Sequence, residues 1–322
     1  MPSPNATFTE MVTTTLRNHP SEISDNVSKH NALYNRLSRR GRVRTVLDGG
    51  YEIVRPLDYQ ENGTYQRYSG YDALNISASD VVSAAKYDWV QAAVHITASG
   101  RELRMNAGSS KLIDLAEARI QNAKRTAANN MAVDLYSSGA LANQLGGLAL
   151  IIQTNGQGTV GGIDSATYTF WRNQFREISG TNTWTKSTIK GDMNALYLSC
   201  VRGGDKPDLI VSTHDFFSAY WESLQDLQRY ASADEGNAGF RSLKYVDSDV
   251  IFDDNTNFGK TAERMYFLNT NYLELIAHRD ANWTVDDEKV SINQDAVVIP
   301  MFWQGQLVCS NRSLQGILID AS

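Results

Sequence analysis

A chain of 322 residues, 42% hydrophobic and 20% charged, can bury a sizeable core as one large domain or two ordinary ones, which sets aside disorder. Two cysteines and six prolines exclude a disulfide-stapled or proline-rich chain, and no apolar run reaches the ~18–20 residues a membrane helix needs. A formal charge of -6 excludes the strongly basic surface of a dedicated nucleic-acid binder.

The N-terminus is polar and lacks the basic-then-apolar pattern of a secretory signal. A short helix is expected over residues 9–17 and a second over 23–39, with Val27, Leu33 and Leu37 loosely periodic. The second runs into Arg36, Arg39, Arg40, Arg42 and Arg44. Three readings fit this cluster: a basic arm on DNA or an acidic neighbour, a solvated helix end favoured by the dipole, or an arm across an adjacent subunit. Residues 49–106 read as β. Residues 51–54 form a short strand that Pro56 interrupts, while Ala92, Val94, Ile96 and Ala98 alternate with polar or small neighbours at period two. Between them, residues 65–87 carry Tyr65, Tyr68, Tyr71 and Tyr87 but few aliphatic residues. A long hairpin with so little core needs a surface to lie on, and another copy of the chain could provide it.

The clearest helix spans residues 111–138. Ser109 or Ser110 can cap it, Ile113, Ala116, Ile120, Ala123, Ala127, Met131 and Leu135 form its buried stripe, and Gly139 can end it. At 1.5 Å per residue it is a rod of roughly 40 Å, whose alanines let a neighbouring element approach closely. Glycines punctuate residues 140–165, with a short buried strand over 148–152 and a turn at Asn155-Gly156. Trp171 and Phe175 fall four apart on an expected helix, where they could pack under the long one. A helix follows over 186–201, then a strand at 209–211. Ser212 and Asp215 read as a capping-box pair for a helix with Phe216, Tyr220, Leu224 and Leu227 inward. Strands are expected at 250–252, 265–268 and 272–277, and strand-like runs fill 296–320.

No catalytic or cofactor chemistry stands out. Gly259-Lys260-Thr261 lacks the glycine a phosphate loop needs five positions earlier; Asp254 stands there beside Asp253, and carboxylates repel phosphate. Asp253-Asp254-Asn255 and Asp286-Asp287-Glu288 do not fit a calcium loop, and the histidines at 19, 30, 95, 214 and 278 are not at metal-ligand spacing. No serine sits in a Gly-x-Ser-x-Gly elbow, and Cys200 and Cys309 read as buried thiols. The sequence therefore implies no catalytic residue, metal or cofactor.

Several stretches, in order along nearly the whole chain, resemble the major capsid proteins of tailed double-stranded-DNA bacteriophages, the Hong Kong 97 fold. The most specific is Gly161-Gly162-Ile163-Asp164 followed by Phe170-Trp171-Arg172-Asn173-Gln174. Asp48-Gly49-Gly50 with Ile53-Val54-Arg55-Pro56-Leu57, and Tyr65-Gln66-Arg67-Tyr68-Ser69-Gly70-Tyr71-Asp72, are others. Asp208-Leu209-Ile210-Val211-Ser212, Gly305-Gln306-Leu307 and Cys309-Ser310-Asn311-Arg312 complete the series.

The resemblance implies an α+β chain. It would have an N-terminal arm (1–48), an extended β loop (49–106), a peripheral domain (107–185) with a spine helix (111–138), an axial domain (186–285) and C-terminal strands (286–322) returning to the peripheral domain. It implies a non-enzymatic head protein that assembles into hexamers and pentamers of an icosahedral shell around viral double-stranded DNA, without tight sequence-specific binding. It further implies a scaffolding protein, a portal and decoration proteins as partners, no membrane, assembly in the host bacterial cytoplasm and residence in the virion capsid. Tyr65, Tyr68, Tyr71, Tyr87, Arg36, Arg39 and Arg40 become the expected inter-subunit contacts, and Gly161, Gly162 and Trp171 the expected structural residues. Lys86, the loop's lysine, gives no sequence sign of the covalent cross-linking some members perform. Two alternatives stand beside this reading: an encapsulin-like cellular nanocompartment shell, and a soluble enzyme with a site assembled from distant residues.

Overall fold

The computed structural model describes residues 32–46, 50–105, 115–178, 185, 187–224, 243–253, 258, 263–287, 289–290 and 294–320. Two sheets organise it. The first contains β1 (Val43–Val46), β4 (Val90–Ser99), β12 (Leu273–Val285), β13 (Lys289–Val290) and β14 (Ala296–Cys309). The second has six strands in the order β7 (Gln174–Ile178), β15 (Gly316–Asp320), β11 (Arg264–Leu268), β8 (Leu209–Ser212), β10 (Ser248–Phe252) and β9 (Leu243–Tyr245).

Residue alternation in the six-stranded sheet explains the mostly apolar sequences of its inner strands β8, β11 and β15. Ile210, Val250, Met265, Phe267 and Leu318 face two helices, α5 (Ile189–Ser199) and α6 (His214–Ser223), where they meet Met193, Leu196, Phe216 and Tyr220. The alternate residues Val211, Ile251, Tyr266, Leu268, Ile317 and Ile319 point the other way, into the main core. Strands covered on both faces have no solvent side, so these inner strands lose the polar half of the period-two pattern, while the edge strand β7 keeps the exposed Arg176 and Glu177. The main core also takes in Leu33 and Leu37 of α1 (Ala32–Arg39), the part of the expected 23–39 helix within the described residues.

The long helix, α3, is described over Leu115–Asp134. Its alanine stripe behaves as the spacing implies: Ala123 and Ala127 are buried against Ile96 of β4 and Met301 of β14. Gly139, at φ +67°, follows the closing turn. The proposed caps Ser109 and Ser110, the helix at 9–17 and Gly259-Lys260-Thr261 lie outside the described residues.

Several local expectations are corrected. Residues 148–151 form a one-turn helix, α4 (Leu148–Ile151), because the Leu148 amide bonds the Leu135 carbonyl at 2.7 Å and Leu148 and Ile151 are buried together. Gly147 permits this approach: a Cβ there would lie 2.4 Å from the Asp134 carbonyl oxygen. Pro56 does not interrupt its strand: β2 (Glu52–Asp58) runs through it, paired with β3 (Val82–Asp88) on one side, and an edge strand tolerates the missing N–H. β4 is not part of that ribbon; it leaves to pair with β14 from Val90 to Ser99. Trp171 ends a 3-10 turn and Phe175 lies on β7, so no helix joins them; Trp171 is buried and Phe175 is 48% exposed. The Ser212–Asp215 capping box is absent: Ser212 bonds the Thr213 carbonyl, and Thr213 is the N-cap of α6. The two sheets draw on strands from either side of residue 285. β12 belongs with β14, while β15 at the C-terminus joins the six-stranded sheet between β7 and β11.

Candidate functional site

The ribbon β2–β3 divides into a foot and a tip. At the foot, Ile53, Leu57, Ala85 and Tyr87 are buried in the main core. A two-residue hairpin presses on it. Its strands are β5 (Thr159–Val160) and β6 (Ile163–Asp164), and its turn residues Gly161 and Gly162 have φ of +60° and +75°, the left-handed pair such turns require. The Gly161 carbonyl accepts the Lys86 amide at 2.9 Å, and a Cβ on Gly161 would stand 2.8 Å from the Ala85 Cβ. Trp171 supports the hairpin from below, its indole N–H donating to the Val160 carbonyl at 3.0 Å. Gly161, Gly162 and Trp171 build one support under the ribbon.

Arg312, unassigned from sequence, completes that support. Its buried guanidinium donates to the Ile151 carbonyl at 2.6 Å and to the Asn173 side-chain oxygen at 2.9 Å, and desolvation lowers its pKa. Asn173 in turn bonds both the amide and the carbonyl of Gln153. Segments 170–174 and 309–312, far apart in sequence, therefore meet in one satisfied polar network.

Tyr87 fastens the ribbon foot within the subunit. It is buried, its hydroxyl donates to the Cys309 carbonyl, and burial pushes its pKa up. The other three tyrosines behave differently. Tyr65, Tyr68 and Tyr71 are 81%, 65% and 107% exposed, and Leu74 and Ile76 beside them are also exposed. Their segment, residues 59–81, contains no strand or helix. A groove of about 510 Å³ runs along the foot below it, lined in part by Tyr59, Lys86, Tyr168, Phe170 and the two turn glycines.

Most of the arginine cluster pairs with carboxylates of its own chain. Arg36 pairs with Asp249 at 3.2 Å, and Arg40 pairs with Asp208 and, at 3.9 Å, with Asp249. Arg42, Arg44 and Arg55 converge on Glu274 of β12. The acidic partners belong to the same chain, while Arg39, Arg40 and Arg44 keep exposed surface. These pairings dock α1 and β1 onto the two sheets, and β1 adds in parallel to β12.

A second groove, about 650 Å³, lies between β4 and α3. Across it Arg119 grips Glu102 through both carboxylate oxygens, at 3.1 and 3.2 Å. Glu102 also accepts the Ser99 amide at 2.9 Å while Ser99 Oγ accepts the Glu102 amide at 3.2 Å. That is a capping box, on the short helix α2 (Gly100–Met105). The sequence carries this signal as Ser99-x-x-Glu102. Arg119 first, then the Ser99 amide, hold the Glu102 carboxyl down to about 2.

Reactive chemistry is muted among the described residues. No group of three or more His, Cys, Asp or Glu side chains there could hold a metal ion. Burial pushes the Cys200 and Cys309 thiols up to about 12, so neither is a nucleophile at neutral pH. Asp253 is buried and accepts a hydrogen bond from the Tyr136 hydroxyl at 2.8 Å, a packing role. No described helix is long and apolar enough to cross a membrane.

No family model and no curated protein matches the chain. Solved structures do. The capsid asymmetric unit of cyanophage A-1(L) superposes with a TM-score of 0.69 at 13% identity, over 92% of this chain and 94% of that one. A structure from Mycobacterium phage Bobi matches at TM-score 0.60 and 11% identity, over 95% and 96%. The SrpI encapsulin of Synechococcus elongatus matches at 0.58 and 8%, over 92% and 91%. The fold is thus that of shell-forming subunits. More particularly, it is the Hong Kong 97-like fold of phage capsid proteins, with a mixed α+β architecture shared over almost the whole chain.

Proposed function

We propose that this chain is the major capsid protein of a tailed double-stranded-DNA phage, a structural and non-enzymatic subunit that assembles into hexamers and pentamers of an icosahedral shell. The observation that carries this reading is the ribbon. Its foot is fastened into the core at Tyr87 and Gly161, while Tyr65, Tyr68 and Tyr71 at its tip are exposed. A projecting aromatic surface on a shell-protein fold fits a contact with a neighbouring copy, and head-to-tail contacts of that kind close into rings. Arg36 and Arg40 are neutralised within the subunit, which fits a container that encloses DNA without gripping it. In this reading residues 1–48 are the arm, the ribbon is the extended loop, and α5 and α6 with their sheet form the axial domain. A scaffolding protein, a portal and decoration proteins are partners; assembly takes place in the bacterial cytoplasm, and the product is the virion shell.

The encapsulin match supports a second reading, a cellular nanocompartment. Electron microscopy of particles purified from the native source decides between them. Closed shells holding double-stranded DNA are expected. Shells packed with an enzyme would establish the second reading, and a protein that stays a small oligomer with its viral partners supplied would overturn both.

A further inference from the structure

The ribbon tip has no regular structure, yet one side chain ties it together. Gln66 Nε2 donates to the Ala73 carbonyl at 3.0 Å, and its Oε1 accepts the Asn75 amide at 3.1 Å. Inside that loop the Asp72 carboxylate accepts the Ser69 amide at 2.8 Å, the Asp72 amide donates to the Ser69 carbonyl at 3.2 Å, and Gly70 adopts φ +55°. The Gln66 carboxamide carries a donor and an acceptor on one short planar group, as this bridge demands. Gln66, Ser69, Asp72, Ala73 and Asn75 are all exposed, and Ala85 and Tyr87 belong to the buried foot further along the chain, so the fold of the subunit does not depend on the bridge.

We propose that Gln66 is a positioning residue for assembly: it braces the tip so that Tyr65, Tyr68 and Tyr71 are set in place before they meet a second copy of this chain. The inference rests on the capsid reading above. Area and charge favour a second copy as the occupant. Aromatic side chains bury ~150–250 Å² each, so three tyrosines with Leu74 and Ile76 approach the ~800 Å² that each partner contributes to a stable interface. Residues 65–76 carry one Arg and one Asp, a neutral surface with nothing to attract duplex DNA. A brace of this kind acts through entropy, because tip residues held in their bound arrangement lose less freedom on docking.

The test compares wild type with Gln66→Ala and Gln66→Glu, the latter keeping the acceptor and losing the donor. Three quantities are read: the melting curve of the unassembled subunit, its cleavage by chymotrypsin, which cuts after tyrosine, and the protein concentration at which particles form. Both variants are expected to melt as wild type does, to be cut faster at Tyr65 to Tyr71, and to need about tenfold more protein to assemble. A variant that assembles at the wild-type concentration, or resists chymotrypsin equally, overturns the brace and leaves the capsid reading intact. A lowered melting temperature overturns it in favour of a folding role. Wild type that forms no particles overturns the capsid reading and the brace together.

Discussion

The Tyr87 hydroxyl donates to the carbonyl of Cys309 at 2.8 Å and accepts from the amide of the same residue at 3.2 Å, joining positions 222 residues apart in sequence. One phenol thereby satisfies both backbone groups of a fully buried residue at the end of β14, and it fixes the ribbon foot to the sheet. Tyr87→Phe keeps the ring and strands those two groups. Leaving buried polar groups unpaired costs ~1–3 kcal/mol, so chemical denaturation of the unassembled variant should show a loss of that order. Unchanged stability would mean that water replaces the hydroxyl.

Trp171 is 2% exposed and holds the turn that carries Gly161. Trp171→Ala removes a large buried side chain and should cost ~3–5 kcal/mol, enough to give largely insoluble subunits. Trp171→Phe keeps most of the apolar contact and loses the bond to Val160, so it should remain soluble with a smaller loss. Normal yield and melting temperature for the alanine variant would contradict the packing described here.

Glu102 gives a pH dependence with a definite sign. Its carboxyl is held from an ordinary 4.5 down to about 2 in the folded chain. A lowered folded-state value stabilises the native state above the unfolded value, and that contribution fades as pH falls from about 4.5 towards 2. The pair with Arg119 is partly exposed, so the effect is modest. Glu102→Gln should lower the melting temperature by ~1–2 °C at pH 7, with the gap to wild type closing as pH falls towards 2. A gap that stays constant with pH would show that the effect does not come from the charge.

Much of this fold was legible in the chain, for reasons that differ by element. The alanine stripe of α3 and the alternation in β4 are period signals that solvent and core impose directly. β14 was not legible as one strand, because Pro300 and Gly305 divide its sequence while its pairing with β4 and β12 carries it through. The tyrosines from 65 to 87 look alike in sequence. Only the pairing of β3 with β2 shows that Tyr87 faces the core and the rest stand beyond the foot. Arg36 and Arg40 find Asp249 and Asp208 on strands distant in the chain, a match that no local pattern announces. The glycines at 161 and 162 stood out only within a glycine-punctuated stretch, and neither their turn nor the contact with Ala85 that makes Gly161 irreplaceable was legible.

The division of the ribbon into foot and tip separates folding from assembly. β3 supplies Ala85 and Tyr87 to the core, so a deletion reaching into residues 82–88 would damage the fold itself. Residues 60–80 lie beyond the paired strands, and replacing them with a short Gly-Ser turn keeps β2 and β3 joined. Circular dichroism and melting of the shortened subunit should match wild type within about 1 kcal/mol, because exposed loop residues contribute little to stability. Particle formation followed by sedimentation should be abolished, because Tyr65, Tyr68 and Tyr71 leave with the segment. Particles that form normally without the tip would remove its role in assembly, and a shortened chain that fails to fold would place the tip within the core of the subunit.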